Sequence, residues 1–171
     1  MPRYVAFLRG VSPMNLKMPE LKACLEAAGF TNVRTVIASG NAVFDTRATS
    51  EAAIERKVEQ ALEKKVGRTF YTIVRSVSAL RKLLESNPYA GFRLPKKAKR
   101  VITFSREAHD LGRPLPIESK GARIVATTGR EIFTAYAPTP GQPEFMRLIE
   151  KTFGKNITTR TWETVAKCAA A

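Results

Sequence analysis

Apolar and polar positions follow two periods along this chain. Tyr4 to Leu8 is continuously apolar, the pattern of a central strand buried on both faces. A loop from Arg9 to Met18 follows. Pro19 suits a first helical turn, Leu21, Leu25 and Ala28 recur at i, i+4 and i+7, and Gly29 can close the helix, so helix one is expected over 19–28. Val33, Thr35 and Ile37 alternate with Arg34 and Val36, Gly40-Asn41 interrupts, and Ala42 to Phe44 resumes an extended pattern. Glycine and asparagine both tolerate positive φ, so strands two and three read as a hairpin with that pair at its turn. Ser50 is placed to cap a helix in which Ile54, Val58, Leu62 and Val66 recur every fourth residue until Gly67, and Phe70 to Val74 reads as a fourth strand. The order strand, helix, hairpin, helix, strand is that of the split βαβ, ferredoxin-like arrangement.

The second half repeats the theme less regularly. A helix over 78–86 ends before Asn87-Pro88, and Val101 to Phe104 is a strand. Ser105 to Gly121, with Gly112, Pro114 and Pro116, reads as a loop. Arg123 to Thr127 and Ile132 to Tyr136 bracket Thr128-Gly129-Arg130 as a second hairpin. Pro143 opens a helix with Phe145, Leu148, Ile149 and Phe153 on one stripe, closed by Gly154. The expectation is an α+β, two-layer chain: a ferredoxin-like first lobe over 1–76 and a related α/β lobe over 77–171 that carries the terminal Thr-Thr-Arg-Thr-Trp segment.

Topology brings two loops together. In a split βαβ sheet strands one and two run parallel, so Arg9 to Lys17 and Ser39 to Asn41 emerge at the same end, their bases on the order of 10 Å apart. Arg9, Asn15 and Lys17 supply donors, and the glycines with the hairpin tip at Ser39-Gly40-Asn41 supply exposed N–H groups, a combination suited to an anion. The other reading is that Gly40-Asn41 is only a turn and Arg9 caps carbonyls. Both stay open at this level.

Three stretches join apolar runs to small polar groups with an arginine or asparagine: Tyr4 to Gly10, Ser39 to Phe44 and Thr158 to Val165. In order and spacing they resemble the bacterial family called domain of unknown function 1697, whose sequences read FLRGINVGG, QSGNVVF and TTRNWNTV. The likeness covers nearly the whole chain, and it implies two ferredoxin-like subdomains and candidate sites, but no reaction. Ser12, Pro13 and Met14 stand where the family has the asparagine and glycines of its first motif, and Thr161 and Glu163 where it usually has asparagines. Thr158, Thr159, Arg160 and Trp162 match; the run can act as a polar cluster anchored by Trp162 or as a ligand-binding element.

Charge adds a second candidate. Twenty-nine basic against fifteen acidic residues give a net +14, and neither half holds most of the excess. Between Glu85 and Glu107 the chain carries Arg93, Lys96, Lys97, Lys99, Arg100 and Arg106 without one acid, a field that attracts polyanions such as nucleic-acid backbone, or simply a solvated linker. No strand has the aromatic pattern with which RNA-recognition sheets stack bases.

Catalytic constellations are thin. His109 is the single histidine and reads as a solvated loop residue beside Asp110. No cysteine–histidine metal spacing, Walker loop or dinucleotide fingerprint occurs, so neither metal nor cofactor is expected. Cys24 and Cys168 read as free thiols in a reducing compartment, and no apolar run is long enough for a membrane span, so the chain is expected to be cytoplasmic. The function expected is non-catalytic binding of an anionic ligand, a phosphorylated metabolite or nucleic-acid backbone, with Arg9, Asn15, Ser39, Asn41 and Arg160 in a shared polar cleft. The alternatives are an enzyme of undefined class using Arg9, Ser39, Asn41 and Arg160, or a protein-interaction module.

Overall fold

The computed structural model describes residues 1–37, 40–94, 97–110, 114–119, 121–137 and 144–171, the side chains of 119 and 144–146 excepted. In chain order its elements are Arg3–Leu8 (β1), Met18–Ala27 (α1), Thr31–Thr35 (β2), Asn41–Asp45 (β3), Glu51–Val66 (α2), Thr72–Ser76 (β4) and Val77–Ser86 (α3). Then come Lys99–Ser105 (β5), Ile117–Ser119 (β6), Ala122–Thr127 (β7), Glu131–Tyr136 (β8), Glu144–Phe153 (α4), Ile157–Thr161 (β9) and Trp162–Ala170 (α5). The class is α+β, built on two sheets.

The chain divides into two compact units, Met1–Glu85 with Glu163–Ala171, and Ser86–Trp162. These differ from the expected lobes at 1–76 and 77–171: α3 falls in the first unit, as does α5 beyond Trp162. The sequence hides the first difference because α3 follows β4 directly. Ser76 Oγ accepts the Ala79 N–H at 3.1 Å, so strand passes into helix with no loop to mark a boundary.

The first unit holds a sheet ordered β2-β3-β1-β4, with every pairing antiparallel. β1 is interior, and Tyr4 to Leu8 is buried on both faces. On one face Tyr4, Ala6 and Leu8 join Leu21 and Leu25 of α1, Ile54, Val58 and Leu62 of α2, and Phe44 and Phe70 in one core. Val5 and Phe7 point the other way and are equally enclosed, which is why the strand reads as an apolar run instead of an alternation. Ser50 caps α2 by accepting the Ala53 N–H, and left-handed Gly67 ends it, as expected. Buried Glu55 of α2 accepts the Val74 N–H at 2.9 Å, covering a donor on an edge strand.

One sequence expectation fails here. Gly40-Asn41 is not the tip of a two-residue hairpin. The connection from β2 to β3 runs through 36–40, with Val36 N–H donating to the Asn41 carbonyl at 2.9 Å, and Asn41 is the first residue of β3, 0% exposed and opposite Phe7. Glycine-asparagine pairs are turn signals only when the flanking strands continue on both sides, and β2 stops at Thr35, five residues short of the glycine.

The second unit holds a sheet ordered β6-β7-β8-β5-β9, again antiparallel throughout. α4 covers one face, where Leu148, Ile149 and Phe153 cluster with Ile117, Ile124, Ile132 and Ile157. On the other face Tyr89 is buried with its ring edge-on to Phe133, and its hydroxyl lies 2.9 Å from the Val101 carbonyl and 3.0 Å from that of Thr134. The expected loop over 105–121 contains β6, which pairs Ile117 with Ile124. The three residues of β6 are too few to display a period.

Candidate functional site

At the end of the first sheet, the loop after β1 and the β2–β3 connection are in contact, as topology requires. Leu8 N–H donates to the Gly40 carbonyl at 2.9 Å and Arg9 N–H to the Tyr71 carbonyl at 2.8 Å. Gly40 has φ +84°, and a Cβ there would lie 2.9 Å from Val11 Cγ2, so both its backbone conformation and the neighbouring loop demand glycine. The polar side chains expected to hold a ligand close these loops instead. Asn15 Oδ1 accepts the Ser12 N–H at 2.9 Å while its Nδ2 donates to the Gly10 carbonyl at 2.8 Å. Asn41 Nδ2 donates to the Val36 carbonyl at 2.9 Å inside the core. Arg9 is half-buried, Lys17 is exposed at the start of α1, and Ser39 lies outside the described residues. This end also shows two apolar side chains to solvent: Met14 is 93% exposed and Ile37, at φ +57°, 47%.

The terminal motif splits between two elements of different kinds. Thr158, Thr159 and Arg160 lie on β9, an edge strand, which among the described residues pairs with β5 alone. Arg160 Nη1 donates to Thr158 Oγ1 at 2.7 Å and to the Thr159 carbonyl at 2.8 Å, tying the guanidinium to its own strand. Trp162 stands edge-on to the Tyr89 ring with centroids 5.4 Å apart, the packing role that its area favours. Arg9, Asn15, Lys17, Gly40 and Asn41 belong to the first unit and Thr158 to Trp162 to the second.

The second unit gathers cations at one end of its sheet. Arg100 and Arg123 both sit opposite Ala135, on the strands either side of it. Cross-strand partners share a face, so the two arginines flank Ala135 at about 10 Å, two strand spacings. Each lies against aromatic rings. The Arg100 guanidinium is 5.4 Å from the Trp162 centroid and 5.9 Å from that of Tyr89, and Arg123 is 5.2 Å from Phe92, distances at which cation–π attraction acts. Arg123 also pairs with Glu118 at 2.8 Å. Exposed Arg93 and Lys97 precede β5 at this end, and exposed Lys99 opens the strand on the opposite face from Arg100, while a depression of about 220 Å³ is lined by Arg93, Glu118, Arg123 and Tyr136. Arg106 is not part of this patch: it follows the opposite end of β5, seven residue steps from Lys99, on the order of 20 Å away. Lys96 lies outside the described residues.

Sequence reasoning misjudged the histidine. His109 Nε2 is 3.0 Å from Ser105 Oγ, and its ring stands edge-on to Phe153 at 5.6 Å. A hydroxyl beside an imidazole is the pairing a nucleophile needs. Ser105 is only 2% exposed, however, and its N–H donates to the Arg130 carbonyl. The contact fastens the turn after β5. The four-residue spacing could have suggested it, had the strand end been known. Among the described residues no three histidine, cysteine or carboxylate side chains form a metal-binding group, and no helix is long and apolar enough to cross a membrane.

Residues 1–133 match the family model described as a protein of unknown function, DUF1697. The chain belongs to that family. Its fold is similar to that of the conserved bacterial protein SP0830 from Streptococcus pneumoniae, with 22% identity, a TM-score of 0.75, and 99% of this chain and 97% of that one covered. No curated protein matches.

Proposed function

We propose that the protein binds an anionic ligand without acting on it chemically, through the cationic end of the second sheet, and that the natural ligand is a phosphate-bearing polymer such as nucleic-acid backbone. The observation that carries this is the pair of arginines flanking Ala135, each supported by an aromatic ring, at the sheet end that exposed Arg93 and Lys97 lead into. A stacked guanidinium keeps its edge donors aimed outward, and those donors match phosphate oxygens two at a time. Arg100 covers Trp162, and Tyr89 is buried, which favours reading the backbone over stacking bases. Binding is therefore sequence-independent and salt-sensitive. The protein is taken to be cytoplasmic, since two buried free thiols suit a reducing compartment. An enzymatic role for Arg9, Ser39, Asn41 and Arg160 has less behind it, because Asn41 is enclosed and hydrogen-bonded within its hairpin.

The test is fluorescence anisotropy with unrelated single-stranded oligonucleotides and with polyphosphate across a salt series. Log affinity should fall linearly with log salt. Replacing Lys97, Lys99, Arg100 and Arg123 by glutamine should flatten that slope by about 0.7 for each phosphate no longer neutralised. Salt-independent binding, or no binding at low salt, would sink the reading. A response confined to one phosphorylated metabolite would move it from polymer to small molecule.

A further inference from the structure

On the helical side of the first unit, α1 and α2 run beside each other with an open seam. The facing stripe of α1 is Cys24, Ala27 and Ala28, and that of α2 is Lys57, Gln60, Ala61, Lys64 and Lys65, both at helical spacing. Side chains of leucine size would fill such a seam. Here the small ones leave a groove of about 520 Å³, within the range of small-molecule sites. Its lining includes three lysines and no carboxylate.

We infer that this groove is a binding site for a small organic anion with an apolar body, the hydrocarbon lying on Ala27, Ala28 and Ala61 and the carboxylate or phosphate meeting Lys57, Lys64 and Lys65. Two features of the site support an amphiphilic occupant over a bare ion. The floor is alanine with a buried thiol, and burial pushes the Cys24 thiol pKa up, so that it stays neutral and hydrophobic. The cations are on the rim and act on the floor: Lys65 is near enough to oppose that rise, while Glu20 on the α1 side reinforces it. Exposed Lys57 has its ammonium 4.7 Å from the Phe30 centroid, a weak cation–π contact that favours a position beside the groove. The site is separate from the cationic end of the second sheet and stands or falls without it.

Amide chemical shifts of the full chain, titrated with octanoate, octyl phosphate, octanol and inorganic phosphate below any micelle concentration, test this. Octanoate and octyl phosphate should shift Cys24, Ala28 and Ala61 saturably, octanol more weakly, and inorganic phosphate not at all. Ala61→Leu fills the groove without touching charge, and the Lys57→Gln, Lys64→Gln, Lys65→Gln triple variant removes charge without filling it. Each should weaken octyl phosphate by about tenfold or more, whereas Arg100→Gln should change nothing here. The inference is overturned if inorganic phosphate moves the same amides as far as octyl phosphate, if no probe saturates, or if Ala61→Leu binds like the parent chain.

Discussion

The ends of the two sheets hold most of the motif residues and employ them in opposite ways. At the end of the first sheet two amides are consumed by the chain itself, beside half-buried Arg9 and exposed Lys17: Asn15 bridges Gly10 and Ser12, and Asn41 bridges to Val36. At the end of the second the polar groups are guanidiniums and ammoniums, held over rings or left exposed. A primary amide has two donors and one carbonyl, so one loop can satisfy it; a guanidinium has five donors, more than a ring face or a single ion pair such as Arg123–Glu118 uses up. A polar motif beside a strand end therefore points to a ligand only after the valence of its side chains has been set against the backbone groups nearby.

This comparison breaks most easily at Gly40. Gly40→Ala places a methyl 2.9 Å from Val11 Cγ2 in a left-handed backbone, and should destabilise the protein by about 3 kcal/mol, measured by urea unfolding. Asn41→Ala removes a buried side chain that donates to the half-buried Val36 carbonyl, and should cost about 2 kcal/mol. If either variant instead kept its stability and lost binding to an anion, the first sheet end would be the ligand site and the contrast would be reversed. Arg100→Gln together with Arg123→Gln is the converse case. Stability should change by less than about 1 kcal/mol, because cation–π and exposed ion-pair terms are small, while oligonucleotide affinity should fall about tenfold at moderate salt.

Much of the first unit was legible because its signals are local. Tyr4 to Leu8, the Ser50 cap, the fourfold repeat of α2 and Gly67 each fix one element from a few neighbouring residues. The fate of Asn41 was not, since a residue named as a turn by its pair partner became a strand residue through pairing with Phe7, 34 positions away. The arginine pair was hidden for the same reason. Arg100 and Arg123 meet across Ala135 only once three strands are in register, and nothing in the spacing of 93–106 singles out Arg123 or excludes Arg106. The Ser105–His109 contact likewise depends on where β5 ends. Charge density is visible in a sequence, whereas the face on which a charge emerges depends on long-range register.

The smallest expected effect is a pH dependence that distinguishes a structural charge from a binding one. In the first unit Arg3 donates to Asp45 Oδ1 at 2.9 Å and Asn32 Nδ2 to Oδ2 at 2.8 Å. The Asn32 hydrogen bond, then the hydrogen bond and charge of Arg3, hold the Asp45 carboxyl below the usual carboxylate range, against a small opposing effect of burial. A depressed folded pKa contributes stability that is present above the unfolded value of about 3.9 and is lost as pH falls through the folded one. Asp45→Asn should therefore be less stable than the parent at neutral pH by under about 1 kcal/mol, since the side chain keeps 20% of its surface in solvent and screening is strong. The gap should begin to narrow as pH falls through about 4, where the unfolded chain's aspartate takes up its proton, and close at lower pH once the folded carboxyl is protonated as well. Thermal unfolding of both proteins across the acid range measures it. A gap that persists unchanged to the lowest pH would mean that Asp45 acts through shape and hydrogen bonding alone, and its charge would then join the amides of the first sheet end as a purely local fastening.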